Sequence, residues 1–237
     1  MTDDRTARIW SCIRAQARRE RVRVAPRHVC LACAADLSGA VGLSMTDGRG
    51  GLPQAVAATD EVSAELEDRQ ATLGEGPGVD VVNGQAALLV ADLSSVEHAL
   101  RWPIFTGSAL ARGVRAVFAF PVRAGVAGLG MLDVYRCAPG PLTEPELADA
   151  LSYADAALAL TLDRYGESAH PQRSVEELFT PRRAAIHQAS GMVSVQLGVS
   201  LSDALAQLRA YAFSHDKHLS EVAADVVARR LRFNAAS

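Results

Sequence analysis

Residues 115–136 read RAVFAFPVRAGVAGLGMLDVYR. Two apolar runs, Arg115 to Arg123 and Ala127 to Arg136, are rich in Val, Phe, Leu and Tyr and are joined by the tight segment Ala124-Gly-Val-Ala127. β-Branched and aromatic residues on either side of a glycine turn predict two strands, so the fold contains a sheet. Toward the N-terminus, Pro103 to Arg112 reads as a helix, Ala87 to Ala91 as a strand, and Gly74-Glu-Gly-Pro-Gly78 as an irregular loop. Asp60 to Leu73 has helix character with Asp60 as N-cap. Ala40 to Thr46 and Gln54 to Thr59 are short apolar runs around Asp47-Gly-Arg-Gly-Gly51, which reads as a hairpin. Residues 25–38 read as a helix with Val29, Cys30, Cys33 and Leu37 on one face. Toward the C-terminus, Leu147, Leu151, Ala154, Leu158 and Leu162 give Glu144 to Tyr165 a helical period. Together these predict an α+β domain with one mixed or antiparallel sheet over residues 25–165.

The rest of the chain is different in kind. Of its 237 residues, 49% are hydrophobic and 22% charged, proportions of a globular protein. No apolar run is long enough to span a bilayer, and Met1 to Arg27 lacks a signal-type apolar core. Four cysteines are too few for a disulfide scaffold, so a cytoplasmic protein with reduced thiols is expected. The net charge of −3 hides an asymmetry. Residues 1–27 carry a net +5, residues 28–171 a net −10 and residues 172–237 a net +2. Such segregation predicts modules. The polar stretch Gly166-Glu-Ser-Ala-His-Pro-Gln-Arg173 carries a helix breaker at each end and is the natural cut. The expected organisation is an N-terminal extension (1–24), the α+β domain (25–165), a linker (166–173) and a C-terminal helical domain (174–237).

The α+β segment resembles a GAF domain, the small-molecule sensor fold, in the form found in actinobacterial regulators. The residues carrying the resemblance are Leu73-Gly-Glu-Gly-Pro77, Asp92-Leu93, Arg101-Trp-Pro-Ile-Phe105, Gly113-Val-Arg-Ala116, Phe120-Pro-Val-Arg123 and Leu129 to Arg136. The resemblance implies an effector, a small molecule or a protein signal, held between the sheet and the segments covering it. The Asn-Lys-Phe-Asp-Glu motif of cyclic-nucleotide binders is absent, and Gly78 stands where related sequences often have Cys. His28 and His98 are the imidazoles a haem would need, but lone histidines of this kind ordinarily sit at the surface or as satisfied core residues. Cys30-Leu-Ala-Cys33 has the spacing of a zinc half-site or redox pair without a second half. On a helix face shared with Val29 and Leu37, both cysteines read as small buried apolar groups. Cys137, at a strand end, reads as inert. Neither metal, cofactor nor catalytic residue is expected. Reduction of free methionine sulfoxide, known for some GAF domains, would need two cysteines lining one pocket.

After the linker the periodicity is helical throughout. Ser174 to Leu197 carries Ile186, Ala189, Val193 and Leu197 on one stripe, and Gly198 suits the C′ position. Ser200-Leu-Ser-Asp203 is a capping pattern that opens a second helix with Leu201, Ala204, Leu205, Leu208 and Ala212. A polar turn, Ser214 to His218, precedes a third with Leu219, Val222, Ala223, Val226 and Val227. This is a small all-α three-helix domain. Arg183-Ala-Ala-Ile186, Gln188-Ala-Ser-Gly-Met192, Leu208-Arg209, Tyr211-Ala212 and Leu219-Ser-Glu-Val-Ala223 resemble an ANTAR domain, the RNA-binding antitermination module. The resemblance implies a homodimer gripping two adjacent RNA hairpin loops, so that a terminator does not form. It points to Arg183, Gln188, Ser190, Gly191, Arg209, Tyr211, Lys217 and His218 as RNA-binding residues, with Ser190 in place of the usual Lys. Physically, phosphates and splayed bases call for guanidinium groups and flat rings, which Arg183, Arg209, Tyr211, Lys217 and His218 supply. The alternative is a GAF sensor whose helical tail binds protein. The N-terminal Ile9, Trp10, Ile13 and Ala17 at helical spacing fit an added helix at a GAF dimer interface, or else the segment is a basic arm on RNA.

Overall fold

The computed structural model describes residues 2–46, 53–84, 86–125, 127–167, 181–215 and 217–234. The chain divides into two compact units, Met1–Arg164 and Tyr165–Ser237.

Unit one is built on a five-stranded antiparallel sheet of order β2-β1-β5-β4-β3. The strands are β1 (Ala40–Met45), β2 (Gln54–Ala58), β3 (Leu88–Val90), β4 (Ala116–Ala124) and β5 (Ala127–Arg136). The β4–β5 hairpin turns at Gly125, whose φ of +61° only glycine adopts freely, and Ala124 pairs with Ala127. The β1–β2 connection expected at Asp47 to Gly51 lies outside the described residues.

The pleat gives the sheet two unlike faces. Val41, Leu43, Phe118, Phe120, Val122, Leu132 and Val134 point to one side and are fully buried. They pack with α1 (Thr2–Glu20), α2 (Pro26–Leu37) and α7 (Glu144–Glu167), whose Ile9, Ile13, Cys33 and Tyr153 belong to the same core. α1 is therefore part of the domain. Ile9 and Ile13 lie inside it, each side chain worth about 2–3 kcal/mol of burial. That is a correction to the reading of the N-terminal apolar stripe as a dimer face, since the chain itself covers it. Arg5 and Arg8 fix α1 through Asp149, and Arg8 also reaches Asp36.

The other face carries small and polar residues: Gly42 and Ser44 on β1, Ala119 on β4, Asp133 and Tyr135 on β5. α3 (Glu61–Leu73) and α4 (Pro77–Val82) cover it. Asp60 caps α3 as expected, accepting the Ser63 N–H at 2.8 Å. The expectation of an irregular loop over Gly74 to Gly78 is half right. The chain is irregular to Gly76, but α4 begins at Pro77, a residue whose fixed φ suits the first helical position. Beyond β3 come α5 (Val96–Arg101), which the sequence did not suggest, and α6 (Pro103–Ala111).

The motifs that carried the resemblance interlock here. The Glu75 carboxylate accepts the N–H groups of Ile104 and Phe105 at 2.8 Å and so caps α6. Asp80 accepts the indole N–H of buried Trp102 at 3.1 Å and pairs with Arg101. α7 continues through Gly166 to Glu167, past the break expected there. The linker residues 168–173 lie outside the described residues.

Candidate nucleic-acid interface

Unit two is three helices, α8 (Pro181–Leu197), α9 (Leu201–Ser214) and α10 (Leu219–Val227). Ile186, Ala189 and Val193 of α8 meet Ala204, Leu208 and Ala212 of α9 and Leu219, Val222, Ala223 and Val226 of α10, all buried. Gly198 takes φ +67° behind α8, and the Ser200 hydroxyl accepts the Asp203 N–H at 3.2 Å to open α9. His218 and Glu221 form a reciprocal capping box at the start of α10. Short connections and caps at both turns fix where the polar side chains stand.

The expected RNA residues fall into distinct environments. Gln188 is exposed on α8, and Gly191 follows on the same face, where an added Cβ would meet nothing within 4 Å. Open space at Gly191 means that helix packing does not require glycine there. Ser190 is buried, and its hydroxyl donates to the Ile186 carbonyl at 2.8 Å. Its side chain is thus held within its own helix. Arg183 lies in the first turn of α8, and its side chain is outside the described residues.

Arg209 of α9 is half-buried, and its Nε is buried without a hydrogen-bond partner among the described residues. Burial pulls its pKa below the ordinary arginine value. A desolvated guanidinium with an unmet donor gains most from an anion. Tyr211 is not a free stacking platform. His215 stacks on its ring at 3.9 Å and 14°, and Phe233 meets it edge-on at 5.5 Å. His215, exposed, is the outer member of that stack. Lys217 and His218 are exposed at the α9–α10 turn, with the Lys217 ammonium 3.5 Å from Asp225.

Sequence reasoning missed the segment after α10. Arg229, Arg230 and Arg232 are exposed, and Arg229 adopts φ +60°, a left-handed turn that reverses the chain. Phe233 anchors the segment, donating its N–H to Gln196 Oε1 at 3.0 Å and packing on Tyr211. Arg230 pairs with the Asp225 carboxylate that Lys217 also approaches. The signal was three arginines within four residues behind a helix end. His215 and Phe233 thus meet on Tyr211, and Lys217 and Arg230 on Asp225.

Residues 181–227 match the ANTAR domain. The match spans α8 to α10 and ends before Arg229. No curated protein matches the chain. Solved structures similar to it include GAF domains. The GAF domain of the Acinetobacter phosphoenolpyruvate-protein phosphotransferase superposes with a TM-score of 0.51 at 13% identity, covering 72% of this chain and 98% of that one. Its counterpart from Coxiella burnetii gives 0.50 at 16% identity, covering 70% and 99%. At such identity the likeness is one of fold. The chain therefore joins an α+β GAF-like unit to a helical region carrying an ANTAR domain.

The GAF-like unit has a cleft and several residues that the sequence singled out. A cleft of about 820 Å³ beside the sheet is lined by Asp60, Arg112, Tyr135, Arg136, Cys137 and Glu146 among others. Its charges are already engaged: Arg112 with Glu65, Arg136 with Glu146 and the Leu37 carbonyl, Asp60 with Ser63. His28 is buried with Nδ1 accepting the Ala25 N–H at 2.9 Å and Nε2 facing Glu20 at 3.2 Å, so neither nitrogen is left for a haem. His98 stacks on Trp102 at 5.6 Å. Cys30 and Cys33 lie in the core, where burial pushes Cys30 up to about 12 and raises Cys33 strongly, so neither is a ready thiolate. Among the described residues no three His, Cys, Asp or Glu converge as a metal site, and no helix is long and apolar enough to cross a membrane.

Proposed function

We propose that this chain is a signal-responsive transcription antitermination regulator of the GAF–ANTAR type found in actinobacteria, acting in the cytoplasm. Its ANTAR unit binds paired RNA hairpin loops, and the GAF-like unit controls that binding. The observation that carries the reading is the ANTAR match over α8 to α10. The buried, unmatched Nε of Arg209 and the exposed Lys217, His215, Arg229 and Arg232 on that unit support it. Phosphates satisfy the cations, and an unpaired loop base stacks on the outer face of His215. The protein works as a homodimer. Leu151 and Leu162 of α7, 43% and 45% exposed, lie on one stripe with Leu158 and suit a second copy of the helix. No catalysis is assigned to it.

Transcription in vitro across tandem hairpins followed by a terminator tests the proposal. Added protein raises readthrough, and mutating the bases of the hairpin loops removes the effect. Equal readthrough with and without protein, on the loop-intact template, overturns it. A protein-binding tail is favoured by one feature, the exposure of Val195, Leu201 and Phe213 at 84%, 62% and 52%. In that case those three residues, and not Arg209, control the partner bound.

A further inference from the structure

Where a GAF fold has room for an effector, between the sheet and α3–α4, this chain has placed its own acids. Glu67 and Gln70 of α3, Ser44 of β1, and Asp133 and Tyr135 of β5 are each at most 1% exposed. Ser44 donates its hydroxyl to Glu67. The Tyr135 hydroxyl donates to Glu67 Oε1 at 2.8 Å and lies 3.3 Å from Asp133 Oδ2. Gln70 donates its amide to Asp133 Oδ2 at 2.5 Å and accepts the Gly78 N–H of α4 at 2.8 Å. Asp133 Oδ1 has no partner among the described residues.

The space is filled, and glycines fill it. A Cβ on Gly42 would run into Glu67, one on Gly76 into Gln70, and one on Gly78 into Asp133. Backbone thus presses on three members of the network from β1 and from the start of α4. Beside Asp133 in the sheet stand Gly42 and Ala119, small enough to let two acids share the layer.

No cation answers these acids. β1 brings Gly42 and Ser44 toward them, and β4 brings Val117, Ala119 and Pro121. α4 brings Gly78, its Asp80 being turned to Arg101 and Trp102. On α3, Glu65 is held by Arg69 and Arg112. The other titratable groups that feel the pair are Tyr135 and, through the sheet, Cys30, whose thiol the Glu67 charge helps to raise. Two buried carboxyl groups that share the Tyr135 hydroxyl, with no counter-ion among the described residues, hold protons at pH values where exposed acids have lost them. Burial pushes Asp133 up to about 7 and raises Glu67 well above the usual carboxylate range.

We propose that the Glu67–Asp133 pair is the input of the GAF-like unit, taking up protons in place of a small molecule, and that uptake clamps α3 and α4 on the sheet. With the pair protonated, the Tyr135 hydroxyl ties Glu67 of α3 to β5, and Gln70 links Asp133 on to α4. Without it, two like charges face each other in a medium of low dielectric, and solvating them requires the helical layer to lift. The chain is built to move there. α4 is six residues long, with positive-φ Gly74 and Gly76 before it and Gly84 after it. That the proton is the signal of an RNA-binding regulator rests on the function proposed above. The proton clamp itself does not, and its test uses no RNA.

Hydrogen exchange of the full chain, corrected for intrinsic rates, is followed from pH 5 to 7.5 in residues 61–82, with α9 of unit two as internal control. One proton linked to closure makes opening of residues 61–82 rise by up to about tenfold per pH unit in this range. Asp133→Asn flattens the rise, and α9, which belongs to unit two, behaves alike in both chains. Opening that is independent of pH, or the same slope in Asp133→Asn, overturns the proposal. Should that variant fail to fold, infrared spectroscopy of the unmutated chain decides. A protonated, exchange-protected carboxyl band at pH 6 that titrates away as the pH is raised is expected, and its absence at pH 6 overturns the clamp. Readthrough that fails while these results hold removes only the RNA reading.

Discussion

At Gly78 one hydrogen separates a packed layer from a broken one. Alanine there drives a methyl group into the Asp133 carboxylate, and we expect Gly78→Ala to destabilise unit one by about 1–3 kcal/mol in urea unfolding. An unchanged midpoint would mean that α4 does not press on the acids. Ser190 and Gly191 separate in the same manner. Ser190→Ala removes a hydroxyl bound within its own helix, and RNA affinity should not change. Gly191→Ala has free space for its methyl and should stabilise α8 by up to about 1 kcal/mol. If RNA approaches that face, the same variant loses affinity while gaining stability, a combination that a packing glycine does not give. The sequence exposed Arg209 as a cation and Tyr211 as a ring, but it could not show burial. Arg209's unmet donor and Tyr211's cover by His215 and Phe233 arise from neighbours on other turns and beyond α10.

Among the elements, α1 and α7 were legible as helices because their apolar residues keep a helical period. Their partners were not. The stripe Ile9, Ile13, Ala17 is compatible with a dimer seam or a domain core, and only the sheet face it covers decides between them. Ile13→Ala should cost about 2–5 kcal/mol in the stability of unit one, whereas a helix serving only a dimer seam would change association instead. Conversely, charge on the outer stripe of α7, as in the double variant Leu151→Lys, Leu162→Lys, should leave the fold intact and shift the sedimenting species to monomer. Persistence of the dimer would place the seam elsewhere. α5 escaped sequence reading because its single six-residue stretch is too short to establish a period, and none of its residues is buried, Val96 and Leu100 included. The strands of the sheet were readable to within about a residue or two at their ends, a margin at which strand and helix termini are defined in any case.

For the whole molecule, the acids of unit one set the sign of its pH dependence. Unfolded, Asp133 and Glu67 titrate near their ordinary values of about 4. Folded, Asp133 reaches about 7 and Glu67 is raised well above its ordinary value by burial and the neighbouring Asp133, so the folded state binds more protons across that interval. Stability therefore falls as pH rises from about 4 toward 7 and beyond, through the folded-state values. Glu146, held low by the Thr143 N–H and Arg136, acts in the opposite sense and loses its contribution on acidification. Comparing unfolding midpoints of the unmutated chain and Asp133→Asn at several pH values isolates the first trend, which the variant should reduce. A chain that gains stability with pH equally in both forms would contradict the assignment. The acids escaped sequence reading because Glu67 and Asp133 lie 66 positions apart and meet only when α3 settles on β5.

The modular plan was the most legible feature, since charge segregation and a change of period mark two units that the structure also separates. The central claim is that the second unit reads RNA. Its most direct measurement is the affinity of the full chain for a tandem-hairpin RNA across a salt series, beside a loop-mutated control. The account predicts selective binding whose affinity falls steeply with salt, is weakened in Arg209→Ala, and loses part of its salt slope in Arg229→Ala, Arg232→Ala. Equal affinity for both RNAs, with no dependence on Arg209, would contradict it.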